Sequence, residues 1–184
     1  VTLVYPKWIP GEHGPTGPIT DFAGLTMSGG GKTLAWKRDG ADMYAFHVDV
    51  PQGVDALDVV FDVLGPTTKE GFSSAASSTP NLAIIAWNQF LLYPQGVNSN
   101  HVTFAASITL PQGWQSATAL VAKTHSGARV DFAPVSLTTL VDSPVLIGRY
   151  FRVVTLDKGA RPVELDIAAD SDAALAIAPS TEAA

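Results

Sequence analysis

Apolar and polar residues alternate along several stretches of this chain. In "MYAFHVDV" (43–50), Tyr44, Phe46, Val48 and Val50 share one side, while His47 and Asp49 take the other. In "VDALDVVFDVL" (54–64), Leu57, Val59, Phe61 and Val63 alternate with Asp58 and Asp62. "HVTFAASITL" (101–110) sets Val102, Phe104, Ala106, Ile108 and Leu110 against Thr103, Ser107 and Thr109. "RYFRVVTL" (149–156) and "VELDIAAD" (163–170) repeat the habit. A period of two, sustained and rich in β-branched and aromatic side chains, predicts half-buried antiparallel strands. "LAIIAWNQFLLY" (82–93) is apolar almost throughout. It reads as a doubly buried strand pair or a short helix, and its Ile, Trp, Phe and Tyr content favours strands.

Turn chemistry falls between these stretches. "VPQGV" (50–54), "YPQGV" (93–97) and "LPQGW" (110–114) reuse one device, a proline that fixes φ and a glycine that supplies the exit. "MSGGGKT" (27–33) predicts a hairpin tip. Its spacing fails the G-x-x-x-x-G-K-[ST] phosphate loop, and no helix pattern follows it. Helical signal is confined to "APVSLTTLVDSPV" (133–145), where Ser136 can cap one or two turns and Pro144 stops them. "FSSAASST" (72–79) reads as a mobile small-residue loop. Past residue 170 the alternation fades into "SDAALAIAPSTEAA", which predicts a domain over 1–170 and a linker over 171–184. The pattern as a whole predicts an all-β fold, an antiparallel two-sheet sandwich or saddle of about ten to twelve strands with at most one short helix.

Composition is consistent with one domain of this size. Of 184 residues, 46% are hydrophobic and only 15% charged, and a chain this long buries roughly 70% of its unfolded surface. The net charge is −6, with no lysine or arginine cluster denser than Lys37–Arg38. Nucleic acid and anionic membrane surfaces, which demand several cations on one face, are therefore not expected partners. The absence of cysteine removes disulfides, thiolate metal sites and cysteine nucleophiles. The chain opens on "VTLVYPKW" with no initiator Met and reads as part of a longer protein.

Candidate chemistry is sparse. The four histidines (His13, His47, His101 and His125) lie far apart, no H-E-x-x-H occurs, and no metal ligand set is expected here. No G-x-S-x-G elbow exists, and Asp142 and Ser143, adjacent on an extended chain, point to opposite sides. Asp49, Asp55, Asp58 and Asp62 suit solvated strand faces as well as a carboxylate pair. Trp8, Trp36, Trp87 and Trp114 are core and edge anchors unless two or three rings lie exposed and coplanar on one sheet. That arrangement would mark a stand-alone binding module for carbohydrate or peptide. The opening stretch "YPKWIPGEHGPTGPI" (5–19), with four prolines and three glycines, is too stiff for a helix and suits presenting a surface.

Those opening residues also carry a resemblance. W-x-P-G at Trp8–Gly11, "DMYAFHVDVP" (42–51), "ATALVAK" (117–123) and above all "PVSLTTLVDSPVLIGRYFR" (134–152) are similar to the N-terminal β-domain of the glycyl-aminopeptidase-like zinc metallopeptidases, peptidase family sixty-one. The L-x-D-S-P-V-x-x-G-x-F/Y pattern is the most specific of these, and the likeness covers nearly the whole chain. Many relatives carry Ser-Tyr after the Pro-Gly and then an Arg, where this chain has Glu12-His13-Gly14.

The resemblance implies a non-catalytic β-domain of an exported bacterial enzyme, periplasmic or secreted. Zinc, H-E-x-x-H and a distal Glu would belong to a following thermolysin-like domain, so no catalytic residue and no cofactor is expected within 1–184. The implied partners are that catalytic domain and, in the intact enzyme, a peptide substrate. Glu12, His13, Asp142 and Ser143 are the candidates for docking that domain or lining the substrate cleft.

Overall fold

The computed structural model describes residues 1–9, 12–65 and 77–176. The first part of the chain forms β1 (Thr2–Val4), β2 (Phe22–Gly29), β3 (Lys32–Thr33), β4 (Trp36–Arg38), β5 (Ala45–Val48) and β6 (Asp58–Val63). There follow β7 (Ser77–Ser78), β8 (Leu82–Ile85), β9 (Tyr93–Pro94), β10 (Thr103–Phe104), β11 (Ser107–Thr109), β12 (Gln115–Ala117), β13 (Ala122–Ser126), β14 (Arg129–Phe132) and β15 (Val135–Ser136). The helix α1 (Leu137–Val141), β16 (Val145–Gly148), β17 (Tyr150–Asp157) and β18 (Val163–Ala169) complete the described elements, with four short 3-10 turns between them. The fold is all-β with antiparallel pairing throughout and one short helix, as the alternation predicts.

The ladders are shorter than two continuous sheets would give. They fall into a sheet β4-β5-β1-β9, a sheet β12-β16-β8-β7, three-stranded sheets β3-β2-β6 and β11-β14-β13, and two-stranded pairs β10-β15 and β17-β18. The stretch 101–110 keeps its side-chain alternation but changes partner midway. Phe104 stands opposite Val135, whereas Ile108 stands opposite Val130. The apolar run 82–93 breaks likewise, into β8, a 3-10 turn at Trp87–Gln89 and β9. The second run also serves both cores, with Leu92 packed against the first and Ile85, Trp87, Leu91 and Tyr93 in or against the second. Residues 72–76 of the loop read as mobile lie outside the described residues, and Ser77–Ser78 is β7.

Two cores result. The first gathers Tyr5, Phe22, Met27, Tyr44, Phe46 and Val48, with Trp36, Phe61 and Leu92 packed against it. Phe22 meets Tyr5 edge-on and lies tilted against Phe46 and Phe61, at centroid distances of 5.3, 5.2 and 4.5 Å. The second gathers Trp87, Ile108, Val130, Phe132, Leu137, Leu140 and Val145. β1 ties the two together, since it pairs with β5 on one edge and β9 on the other. The Tyr5 hydroxyl adds a second tie by donating to the Gln89 carbonyl at 3.2 Å. Burial raises the Tyr5 phenol far above its ordinary pKa, with the charges of Asp21 and Tyr44 adding to it. It therefore stays a neutral donor.

Local chemistry explains the element ends. Gly30 and Gly31 take φ of 57° and 75° at the β2–β3 tip, the left-handed pair a two-residue hairpin requires. Gly53, Gly96 and Gly113, the glycines of the three PQG turns, all have positive φ. Ser136 caps α1, its hydroxyl accepting from the Thr139 amide at 3.1 Å.

β17 and β18 form a ribbon that the two cores do not cover. Tyr150, Arg152 and Val154 stand opposite Ala169, Ile167 and Leu165 on one face, and Phe151 and Val153 stand opposite Ala168 and Asp166 on the other. The base is held on both sides. A Cβ on Gly148 would lie 2.9 Å from that of Ala168, and Arg152 donates to the carbonyl of Leu175 at 3.3 Å. Leu175 is buried, within a 3-10 turn capped by Ser171, so residues 171–175 of the stretch read as linker fold back on the ribbon. Beyond that base the ribbon is open, with Val153 at 48%, Leu156 at 53%, Val163 at 50% and Leu165 at 44% exposure.

This contrast sets a stability prediction. Phe46→Ala, at a fully buried site against Phe22 and Trp36, is expected to cost about 3–5 kcal/mol. Leu156→Ala in the ribbon is expected to cost under ~0.5 kcal/mol. Urea unfolding followed by circular dichroism measures both.

Candidate functional site

The opening stretch is a folded-back loop built on β1. After Val4 the chain continues beside Tyr44, whose carbonyl accepts from the Tyr5 amide at 2.8 Å. It then turns and returns, so that the Gly17 amide donates to the Lys7 carbonyl at 3.0 Å. Only glycine fits at 17, because a Cβ there would sit 2.0 Å from the Pro6 carbonyl oxygen. The Tyr44 hydroxyl donates to the carbonyls of Pro15 and Gly17, at 2.8 and 3.1 Å, and pins the returning arm. Glu12 and His13 lie at the bend of this loop, Glu12 half-buried and His13 exposed.

The loop walls a groove of about 340 Å³ whose lining includes Tyr5, Lys7, Trp8, Asp42, Tyr93 and Gln95. Lys7 Nζ donates to Asp42 Oδ2 at 2.8 Å and lies 5.8 Å from the centre of the Tyr44 ring. The Lys7 hydrogen bond, followed by that from the Tyr44 amide, holds the Asp42 carboxyl below the usual carboxylate range. Trp8, 61% exposed, forms the lip of the groove, while Trp36 and Trp87 pack in the two cores.

Asp142 and Ser143 occupy a different setting, against the second core. Asp142 ends α1 with its side chain exposed and its amide donating to the Thr138 carbonyl at 3.2 Å. Ser143 is buried, and its hydroxyl donates to the Thr139 carbonyl at 2.8 Å. The Ser143 carbonyl accepts from Trp87 Nε1 at 2.9 Å and from the Thr118 hydroxyl at 3.3 Å. The Ser143 side chain thus holds the turn, and Asp142 is the member of the pair that faces outward. The two candidate pairs belong to different cores.

One constellation was not legible in the sequence. His47 lies between Thr2 and Asp39, with Nδ1 2.9 Å from the Thr2 hydroxyl and Nε2 2.7 Å from Asp39 Oδ2. Strand register alone places Thr2 and Lys37 on either side of His47. The tight turn after β4, where Asp39 Oδ1 accepts from the amides of Ala41 and Asp42, swings that carboxylate onto the ring. Hydroxyl, imidazole and carboxylate in a row resemble a hydrolytic relay, but Thr2 sits on a strand paired along both edges. Its neighbouring amides serve the ladder and do not converge on an oxyanion. The row is a strut that joins β4, β5 and β1.

Zinc needs three protein ligands, and among the described residues no group of three His, Asp or Glu side chains converges.

The strut has a measurable signature. Hydrogen bonding from His47 first, then from the amides of Asp42 and Ala41, draws the Asp39 carboxyl far below its ordinary value. A carboxylate whose folded pKa is depressed contributes stability above its unfolded pKa of about 3.9 and loses it as pH falls toward the folded value. The stability gap between the wild type and Asp39→Asn is therefore expected to be full at about pH 6 and to close as pH drops below about 4. Urea midpoints across that range check it, and a gap constant with pH would contradict it.

The sequence profile of the peptidase M61 N-terminal domain matches residues 1–149. No curated protein sequence matches the chain. A solved structure of an aminopeptidase N family protein from Idiomarina loihiensis superposes with a TM-score of 0.71 at 18% identity. The match covers 91% of this chain but 28% of that one, so this chain spans little more than a quarter of its neighbour's length. At that identity the likeness shows a shared fold. The profile, matched from the first residue through the LVDSPV turn and β16, shows that the chain belongs to the peptidase M61 N-terminal domain family.

Proposed function

We propose that this chain is the non-catalytic N-terminal domain of a zinc-dependent, aminopeptidase-like metallopeptidase, and that it docks the catalytic domain through the β17–β18 ribbon. The observation that carries this reading is the open apolar end of the ribbon, formed by Val153, Leu156, Val163 and Leu165. The family profile stops at residue 149, and β17 begins at Tyr150. The ribbon therefore begins just past the residues that the profile matches. A two-stranded hairpin is marginal by itself and needs further strands or a packing partner. Exposed apolar side chains clustered on one element mark such a surface.

In this reading the domain walls one side of the substrate cleft and leaves the chemistry to its neighbour. Zinc, held by that neighbour, would supply the activated water for peptide hydrolysis. The outward-facing groups named earlier have roles at the rim. Asp142 offers a carboxylate to a backbone amide or a substrate amine, and Glu12 and His13 offer polar contacts from the loop. The parent would be a periplasmic or secreted bacterial enzyme.

Two results test the proposal. The gene is expected to encode H-E-x-x-H within about 150 residues after Ala184, the spacing of ligands that zinc peptidases place on a helix. A separately produced downstream segment is expected to bind this chain, and the double substitution Val163→Asp and Leu165→Asp to weaken that binding at least tenfold without moving the urea midpoint. Unchanged binding by the double variant, or no zinc motif downstream, would overturn it. The chain alone is expected to leave aminoacyl anilides intact with or without added zinc.

A further inference from the structure

The two faces of the β17–β18 ribbon differ in chemistry. Register and strand alternation place Val154, Val163, Leu165 and Ile167 on one face. The charged side chains of that face stand at its ends, Arg152 at the base and Asp157 near the tip. Arg152 donates to the Leu175 carbonyl, and Asp157 Oδ1 accepts from the Gly159 amide at 2.8 Å. The opposite face sets Asp166 against Val153 and Glu164 against Thr155. Leu156 sits where the register shifts, between Thr155 and Asp157, and belongs to neither row.

Burial treats these faces differently. Covering the first removes valine and leucine side chains from water, which is favourable in proportion to their area. Covering the second would strip water from two carboxylates whose cross-strand neighbours are a valine and a threonine. That desolvation is costly, and a pairing cation often fails to repay it.

The path of the chain also selects the first face. The 3-10 turn Asp172–Leu175 touches both strands of the ribbon, and its last carbonyl meets Arg152, a side chain of the apolar face. Leu175 is buried there, whereas Val163 and Leu165, farther along that face, are open. On the carboxylate face the base meets the domain itself, where Ala168 lies against Gly148 of β16. The chain at Ala176 therefore leaves from the apolar face, beside the surface that is open.

We propose that the downstream domain covers the face of Val154, Val163 and Leu165 with an apolar surface of its own, and that the face of Glu164 and Asp166 stays in water. This rests on the docking reading given above and adds which face docks and what chemistry meets it. A tethered partner that starts beside its site binds at high effective concentration. Such a contact needs no ion pair to hold it.

Thiol labelling tests the assignment, since residues 1–184 contain no cysteine. Val163→Cys and Leu165→Cys report on the apolar face, and Val153→Cys and Thr155→Cys on the other. Each is made singly, both in this chain and in the longer protein that contains it, and maleimide uptake is followed by peptide mass. Each position is compared with itself, because nearby carboxylates slow a thiol. In the longer protein, labelling at 163 and 165 is expected to slow by at least about tenfold, and at 153 and 155 by less than about twofold. Unchanged urea midpoints verify the folds, and two positions per face keep one failed variant from deciding. Equal slowing on both faces, or slowing at 153 and 155 alone, would overturn the face assignment and leave docking in place. No slowing at any of the four would overturn the docking reading itself. Binding of the separately produced downstream segment is expected to lose less than about threefold between about 0.05 and about 0.5 M salt. A larger loss would overturn the apolar match.

Discussion

A two-stranded ribbon has two faces and no core of its own. That constraint governs how this domain ends. β17 and β18 are paired along their length, yet only the base is buried, between β16 and the turn that carries Leu175. Past Val153 on one strand and before Ile167 on the other, apolar side chains meet water. The hydrophobic term, about 25 cal/mol per Å² of apolar surface removed from water, is left uncollected there. Among the described residues before Tyr150 two buried clusters form, and β17 and β18 contribute to neither.

The closed part depends on a few ties. β1 is three residues long, but it sits between β5 and β9 and so belongs to both halves. Tyr5 extends it, with its ring in the first core and its hydroxyl on Gln89 beside the second. Gln89 is itself buried, and its Oε1 has no partner among the described residues. Such an orphaned acceptor costs about 1–3 kcal/mol, a penalty the surrounding packing offsets. Trp87 closes the second core from above, with its indole N–H anchored on the Ser143 carbonyl. The LVDSPV motif is thus in large part structural. It caps α1, anchors a tryptophan, and starts β16 at the fully buried Val145.

Much of this was legible in the chain because local chemistry dictated it. The glycine pair at 30–31, the three PQG turns and the Ser136 cap needed only the residues themselves. Alternation also identified which side chains face inward at Phe46, Phe61 and Ile108. It could not say which strand each would meet, so 101–110 read as one strand although its partner changes from β15 to β14. Nor does a period of two distinguish a covered face from an open one, and 149–156 reads like 43–50 although its outer half is bare. The groove and the His47 strut were hidden for another reason. Lys7 and Asp42 are thirty-five residues apart, and Thr2 and His47 forty-five, so only the folded chain brings them together. Ser143 drew notice as a hydroxyl beside a carboxylate, and burial commits that hydroxyl to Thr139.

Amide hydrogen exchange over residues 150–169 tests the central claim most directly, measured in this chain alone and in the longer protein that contains it. If the ribbon is a docking element, amides near its tip, from Val153 to Asp157 and from Val163 to Leu165, exchange rapidly in the isolated chain and become strongly protected in the longer protein. Amides of β2 and β5 stay equally slow in both. Equal protection of the ribbon in the two proteins would contradict the account.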